Sequence, residues 1–156
     1  MIGKKDLKII SNLRANSRQT LTNMSKSTKI PISTIYDRLK ANEGSLIKRH
    51  TCLIDFNKLG FTTRARVLLR VDKGGREEVK SHLTKHRNVN SLVKINNNYD
   101  FLFEVIFKQI KEVEEFLENL EVSFKIKSKQ VFYEIEDVKR EAFLADPDLL
   151  EVLGFD

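Results

Sequence analysis

A chain of 156 residues, 40% hydrophobic and 32% charged, can build one ordinary domain or two small ones with real cores. Its net charge of +6 is unevenly spread: residues 1–60 hold 12 Lys/Arg against 4 Asp/Glu (+8), residues 61–156 hold 16 against 18 (−2). No apolar run approaches the ~20 residues that span a bilayer, the opening Met-Ile-Gly-Lys-Lys-Asp lacks the apolar block of an exported chain, and one cysteine excludes a disulfide framework within the chain. A cytoplasmic protein with no membrane partner is expected, its basic first part facing a polyanion.

From Asp6, the residues Leu7, Ile9, Ile10 and Leu13 give a helical apolar stripe that stops near Asn16-Ser17. A shorter helix over about residues 20–27 turns Leu21 and Met24 inward, and Ser27-Thr28-Lys29 makes a turn. Pro31 precedes a third helix, a position that tolerates a missing amide. Ser33 and Thr34 are expected to cap that helix, and Ile35 and Leu39 to face the core. This leaves Ser33, Thr34, Tyr36, Asp37, Arg38 and Lys40 on the remaining surface, a mix suited to base edges and phosphates. Residues 46–49 and 51–55 alternate, or nearly so, and read as a two-stranded wing, with Cys52 a small buried side chain in its second strand. Three short helices and a wing make a DNA-binding layout. An ordinary helix-turn-strand unit of a core is the plainer alternative.

Residues 56–61 read as a connector. From Thr63 the period becomes two, with a strand over residues 63–71, a turn at Lys73-Gly74-Gly75, a helix over 77–86 and a strand over 89–95. The polar Asn96-Asn97-Asn98 turn leads to a strand over 101–107, apolar on both faces and so central. An amphipathic helix follows over 109–120, with Ile110, Val113, Phe116, Leu117 and Leu120 on its stripe, and a last strand spans 124–135. Strand, helix, strand, strand, helix, strand is the ferredoxin-like split unit. The expected fold is therefore α+β: a winged helix-turn-helix over residues 1–61 and a ferredoxin-like βαββαβ assembly domain over 62–156. Two helices cover one sheet face, so the other awaits a second copy of the chain. Beyond Lys139, Asp146-Pro147-Asp148 opens a short helix with Leu149, Leu150 and Val152, stopped by Gly154.

Several segments, in this order, resemble the leucine-responsive regulator / asparagine regulator family. They are Asp-Leu-Lys-Ile-Ile from Asp6, Ser-Thr-Ile-Tyr-Asp-Arg-Leu from Ser33, Leu-Ile-Lys-Arg-His-Thr-Cys-Leu-Ile-Asp from Leu46, Leu59-Gly60-Phe61, and Asn98-Tyr99-Asp100. The resemblance spans roughly residues 6–139. It implies a winged helix binding duplex DNA as a dimer, and a second domain (RAM-type) that assembles dimers, often into octamers, and holds an amino acid at subunit interfaces. The chain departs from the family at Asn42, where a leucine is usual, in a shortened Glu43-Gly44-Ser45, and at Asn97, where the family's turn has glycine. Asparagine adopts the left-handed backbone such a turn needs, but its side chain crowds the ligand's approach.

For DNA, the candidate contacts are Ser33, Thr34, Tyr36, Asp37, Arg38 and Lys40 on the third helix and Lys48 and Arg49 on the wing. Arg18, Lys26 and Lys29 are candidates for further backbone contacts, solvated surface being their plainer reading. Arg38 matches a family arginine that pairs with a nearby acid, so its role stays open between phosphate and structure. For an effector, the candidates are Asn96, Asn97, Asn98, Tyr99 and Asp100, against the plainer reading of an Asn-rich turn. Asp100 is suited either to an ammonium group or to capping the turn. No catalytic set stands out: His50 is remote, and His82 and His86, one helical turn apart, lack a third metal ligand. No cofactor or metal is expected. Two rivals to a transcription regulator remain open. One is a tetrapyrrole (sirohaem-type) decarboxylase of a related enzyme branch, and the other is a non-specific DNA-compacting protein.

Overall fold

The computed structural model describes residues 2–150, 152 and 154. The chain divides into two compact units, one of residues up to Leu53 together with those from Val138 onward, the other Ile54–Asp137. The tail, expected with the second domain, thus belongs to the first.

Three helices build the first unit: α1 (Lys4–Ala15), α2 (Leu21–Thr28) and α3 (Ile32–Asn42). Ile9, Met24, Ile30 and Ile35 form its buried centre, with Leu13, Leu21 and Leu39 packed around them. Each helix contributes from positions three or four apart, which is how a short amphipathic helix hides one stripe. The Thr20 side chain caps α2 by accepting from the Asn23 amide at 3.1 Å. Lys29 closes α2 in the left-handed region at φ 60°, and the Ser25 hydroxyl donates to the Ile30 carbonyl at 2.6 Å, fixing the turn into α3. Ser33 and Thr34 do not cap α3: its N-cap is Pro31, and the two hydroxyls lie inside the first turn.

The expected wing does not form as a ladder within the chain. After α3, residues 43–47 make a turn through Gly44 at φ 75° with a single bridge between Glu43 and Ile47, and residues 48–55 run on without strand pairing. Leu53 and Ile54 are exposed, as is Cys52, against its expected burial. A lone two-stranded ribbon with no packed face has little to stabilise it, which accounts for both departures.

The tail packs on α1. Arg14 Nε donates to the Phe143 carbonyl at 2.6 Å, Nη2 reaches the Glu141 carbonyl at 3.1 Å and its carboxylate at 3.2 Å, and Leu150 is buried. In place of the expected short helix, Pro147–Leu149 form one 3₁₀ turn capped by Asp146; the end of the expected segment, at residue 153, lies outside the described residues.

The second unit is one antiparallel sheet with two helices. Its elements are β1 (Thr63–Val71), α4 (Arg76–Lys85), β2 (Val89–Lys94), β3 (Phe101–Phe107), α5 (Ile110–Ser123) and β4 (Ile126–Tyr133), with the sheet ordered β2-β3-β1-β4. Thus β3 is central, as its apolar faces imply. Ala65, Val67, Leu69 and Val71 alternate onto one face, where they meet Phe101, Phe103 and Val105 of β3, Val79 and Leu83 of α4, and Val113, Phe116, Leu117 and Leu120 of α5. Ile110, expected on that stripe, is exposed, because it opens α5 before the helix reaches the sheet face. The opposite face carries Arg64, Arg66 and Leu68 of β1, paired with Ile106, Glu104 and Leu102 of β3. Phe132 of β4 stands opposite Arg66 on that face and is half exposed.

Candidate nucleic-acid interface and effector cavity

On α3 the candidates separate by helical geometry. Ser33, Tyr36, Asp37 and Lys40 follow i, i+3, i+4, i+7 spacing and are all exposed, Tyr36 at 55%. They form one outward row of a hydroxyl, a phenol, a carboxylate and an ammonium. Thr34 and Arg38 lie on another side of the helix, and Arg38 is engaged there.

Its partner is Asp6, which is 4% exposed and sits in the first turn of α1. Arg38 Nη1 donates to Asp6 Oδ2 at 2.8 Å, the Gly3 amide to the same oxygen at 2.9 Å, and the Asn42 side chain to Oδ1 at 3.2 Å. Burial pushes the Asp6 carboxyl up, but the Gly3 amide, the Asn42 amide and the Arg38 guanidinium outweigh it and hold it below its ordinary value. Arg38 is therefore a structural tie between α1 and α3, the alternative to phosphate contact that the sequence left open. Asn42, noticed in the sequence only as a departure from leucine, completes the same tie.

Around α3, Arg18, Lys26, Lys29, Lys40, Lys48 and Arg49 are exposed, and none has an acid partner among the described residues. Arg18 follows an Asn16 turn, whose side chain accepts its amide at 3.0 Å, and Lys29 is the α2 cap. Unpaired cations of this kind can neutralise backbone phosphates and release the counterions condensed on a duplex.

In the second unit, the turn before β3 places Asn97 at φ 61° and Asn98 at φ 69°, so both adopt the left-handed form. Asn96, Asn97 and Asn98 are exposed and Tyr99 half-buried, while Asp100 is buried. Asp100 Oδ2 accepts the Val71 amide at 2.8 Å and Oδ1 lies 2.7 Å from Arg76 Nε, so the residue locks the β1 end to the start of α4. Of the five effector candidates only Asp100 lines the adjacent cavity of about 400 Å³, which opens between α4 and β2. The sequence did not single out the others that matter there, Arg76, Lys80 and Lys94, because a lysine or arginine on a surface helix or edge strand carries no local signal.

Of the histidines, His50 stands 3.9 Å from Glu43 in the first unit, while His82 and His86 place their rings 5.9 Å apart in the second. His86 packs against Phe116 at 4.6 Å and its Nδ1 accepts the Asn88 amide. Burial, then repulsion from His82 and Arg87, lowers its pKa, and no group of three or more ligating side chains able to hold a metal occurs among the described residues.

No family model matches the sequence. It is 32% identical over 114 residues to HTH-type transcriptional regulator FL11 of Pyrococcus horikoshii, a match spanning 72% of this chain and 76% of that protein. A transcriptional regulator from Neisseria meningitidis, solved as a complex with L-Met, shares the fold at a TM-score of 0.82 and 20% identity, covering 90% of this chain and 94% of its own. The Bacillus subtilis protein LrpC does so at 0.80 and 19%, covering 89% and 98%.

Proposed function

Because the chain belongs to the leucine-responsive regulator / asparagine regulator (Lrp/AsnC) family of HTH-type transcriptional regulators, we propose that it controls transcription by binding specific duplex sites through α3. In this reading Ser33, Tyr36, Asp37 and Lys40 enter the major groove and read base edges. Lys48 and Arg49 beyond the turn, with Arg18, Lys26 and Lys29, hold phosphates. The second unit joins copies through the open sheet face into dimers or larger assemblies, so that two recognition helices engage two half-sites. A free Cys52 and a DNA target fit the reducing cytoplasm.

The observation that carries this reading is the outward row on α3, set among exposed cations that have no acid partner among the described residues. A small molecule completes the regulator. The N. meningitidis neighbour was solved with L-Met, and the cavity beside Asp100 is a place of suitable size for an amino acid or related effector. Such a ligand changes DNA binding only through different affinities for different assembly states.

The test is recovery of bound fragments from genomic DNA, followed by anisotropy titration of a recovered duplex against its scrambled version at one salt concentration. A preference of about a thousandfold or more is expected. Equal affinity for both duplexes would make the protein a non-specific compactor. Failure on both, with uptake of an added tetrapyrrole and its absorption band, would place it in the decarboxylase branch.

A further inference from the structure

An amino-acid site needs an acceptor for the ammonium and donors for the carboxylate. The cavity between α4 and β2 holds donors in excess. Its two acids are Asp100 and Glu77. Asp100 already accepts the Val71 amide on one oxygen and faces Arg76 Nε with the other, and it is 6% exposed. Glu77 has a side chain 85% exposed and leans on Lys80 at 3.4 Å. Neither offers a free, enclosed oxygen to an ammonium group.

The cations are three: Arg76, Lys80 and Lys94. A guanidinium has five N–H donors in a planar fork, and one Asp100 oxygen at its Nε edge cannot use them all. Lys94, on the edge strand β2, has no ion-pair partner among the described residues. Across the cavity floor, Leu92 and the buried Phe101 supply apolar surface. At about 400 Å³ the space is near the lower end of small-molecule pockets, roughly 300–1,000 Å³.

From the committed state of Asp100 and the surplus of cations, we propose that this cavity binds a small molecule with two carboxylates, a dicarboxylate or an acidic amino acid. Arg76 takes one carboxylate and Lys94, with Lys80, takes the other. A neutral or cationic amino acid would bring its ammonium beside these cations with only one carboxylate to offset them, whereas the second carboxylate of an acidic amino acid answers both. This rests on the reading that the second unit binds a small effector, and narrows its class.

The test is isothermal titration calorimetry on the full chain with four probes: succinate, L-glutamate, L-leucine and L-lysine. Lys94→Gln and Lys94→Arg serve as variants, since an exposed edge-strand lysine is not needed for folding. Succinate and L-glutamate are expected to bind at least about tenfold more tightly than the other two, Lys94→Gln to weaken them about tenfold or more, and Lys94→Arg to restore them. Binding of L-leucine or L-lysine as tight as that of L-glutamate, or unmoved by Lys94→Gln, overturns the dicarboxylate assignment while the effector reading stands. Binding of succinate without any amino acid upholds the anion site and removes the amino acid from the effector reading. No heat with any probe at millimolar concentration removes both.

Discussion

Asp6 shows how one buried charge sets the geometry of the surface proposed to meet DNA. Its carboxylate is held by three donors, two on α3 and one at the residue that caps α1, and it supplies the polar tie of α3 to α1 seen among the described residues. Asp6→Asn is expected to cost about 1–3 kcal/mol at neutral pH, read by urea unfolding, because the Arg38 and Asn42 donors lose their anion. The pH dependence follows from the sign of the shift. The folded carboxyl titrates below its unfolded value, so its stabilisation is complete above about pH 4 and is lost as pH falls through the lowered folded value. The gap between wild type and Asp6→Asn should therefore narrow on acidification. A gap constant from pH 7 to pH 3 would show that the carboxylate's charge is not what holds the helices. Lys48 and Arg49 make the contrasting case, cations with no ion-pair partner among the described residues. Replacing both with Ala should lower the slope of log affinity against log salt by about two, equally for recovered and scrambled duplexes. An unchanged slope would remove both residues from the phosphate contacts.

At the scale of elements, the Asn97-Asn98 turn and the segment after α3 differ in how far they could be foreseen. The turn needs two consecutive left-handed residues, and asparagine is the non-glycine residue best suited to that conformation. Asn97→Gly is expected to hold or slightly raise stability, whereas Asn97→Val should cost about 1–2 kcal/mol, measured by thermal unfolding. Equal midpoints for the two variants would mean that the turn has another conformation. Helices and strands were legible because their apolar periods of 3.6 and 2 are local facts, and the row on α3 was legible in part because spacing dictates which side chains share a face. The role of Arg38, left open between phosphate and structure, was not legible because its partner Asp6 lies 32 residues away and no local pattern pairs the two. The wing was not legible for a related reason. Alternation announces a strand, but a ladder also needs a partner and a surface to cover, and within one chain residues 48–55 have neither.

At the scale of the whole molecule, the second unit presents an open face on which a cluster of charges is answered internally, while Arg70 is exposed there with no ion-pair partner among the described residues. Arg64 reaches Glu134 at 3.0 Å, Asp137 at 2.9 Å and Glu104 at 3.3 Å, Arg66 also holds Glu134, and Asn90 donates to Glu104. Burial pushes the Glu134 carboxyl up, and Arg66 and Arg64 more than offset it, so it is held below its ordinary value and stays paired. A second copy laid on the Arg64–Arg66 cluster meets paired ions rather than bare ones, which keeps the desolvation cost of assembly down. Phe132, half exposed beside them, is an apolar anchor available to that contact, as is Val93 opposite Leu102. Phe132→Asp is expected to raise the dimer dissociation constant at least about thirtyfold in sedimentation equilibrium, without loss of secondary structure. A dimer of unaltered affinity would place the joint between copies elsewhere.

The position of the tail makes the chain a host with a guest inserted in it. The stretch through Leu53 and the stretch from Val138 are two halves of one body, clasped by Arg14 and by the seat of Leu150, and the sheet is spliced between them. Severing the polypeptide after residue 53 to isolate the helical body would strip Arg14 of its clasp and bare the apolar seat. Excision that respects the molecule's own seams would instead join residue 53 to residue 138 through a short glycine bridge, and that ligated miniature should outlast the simple truncation under protease.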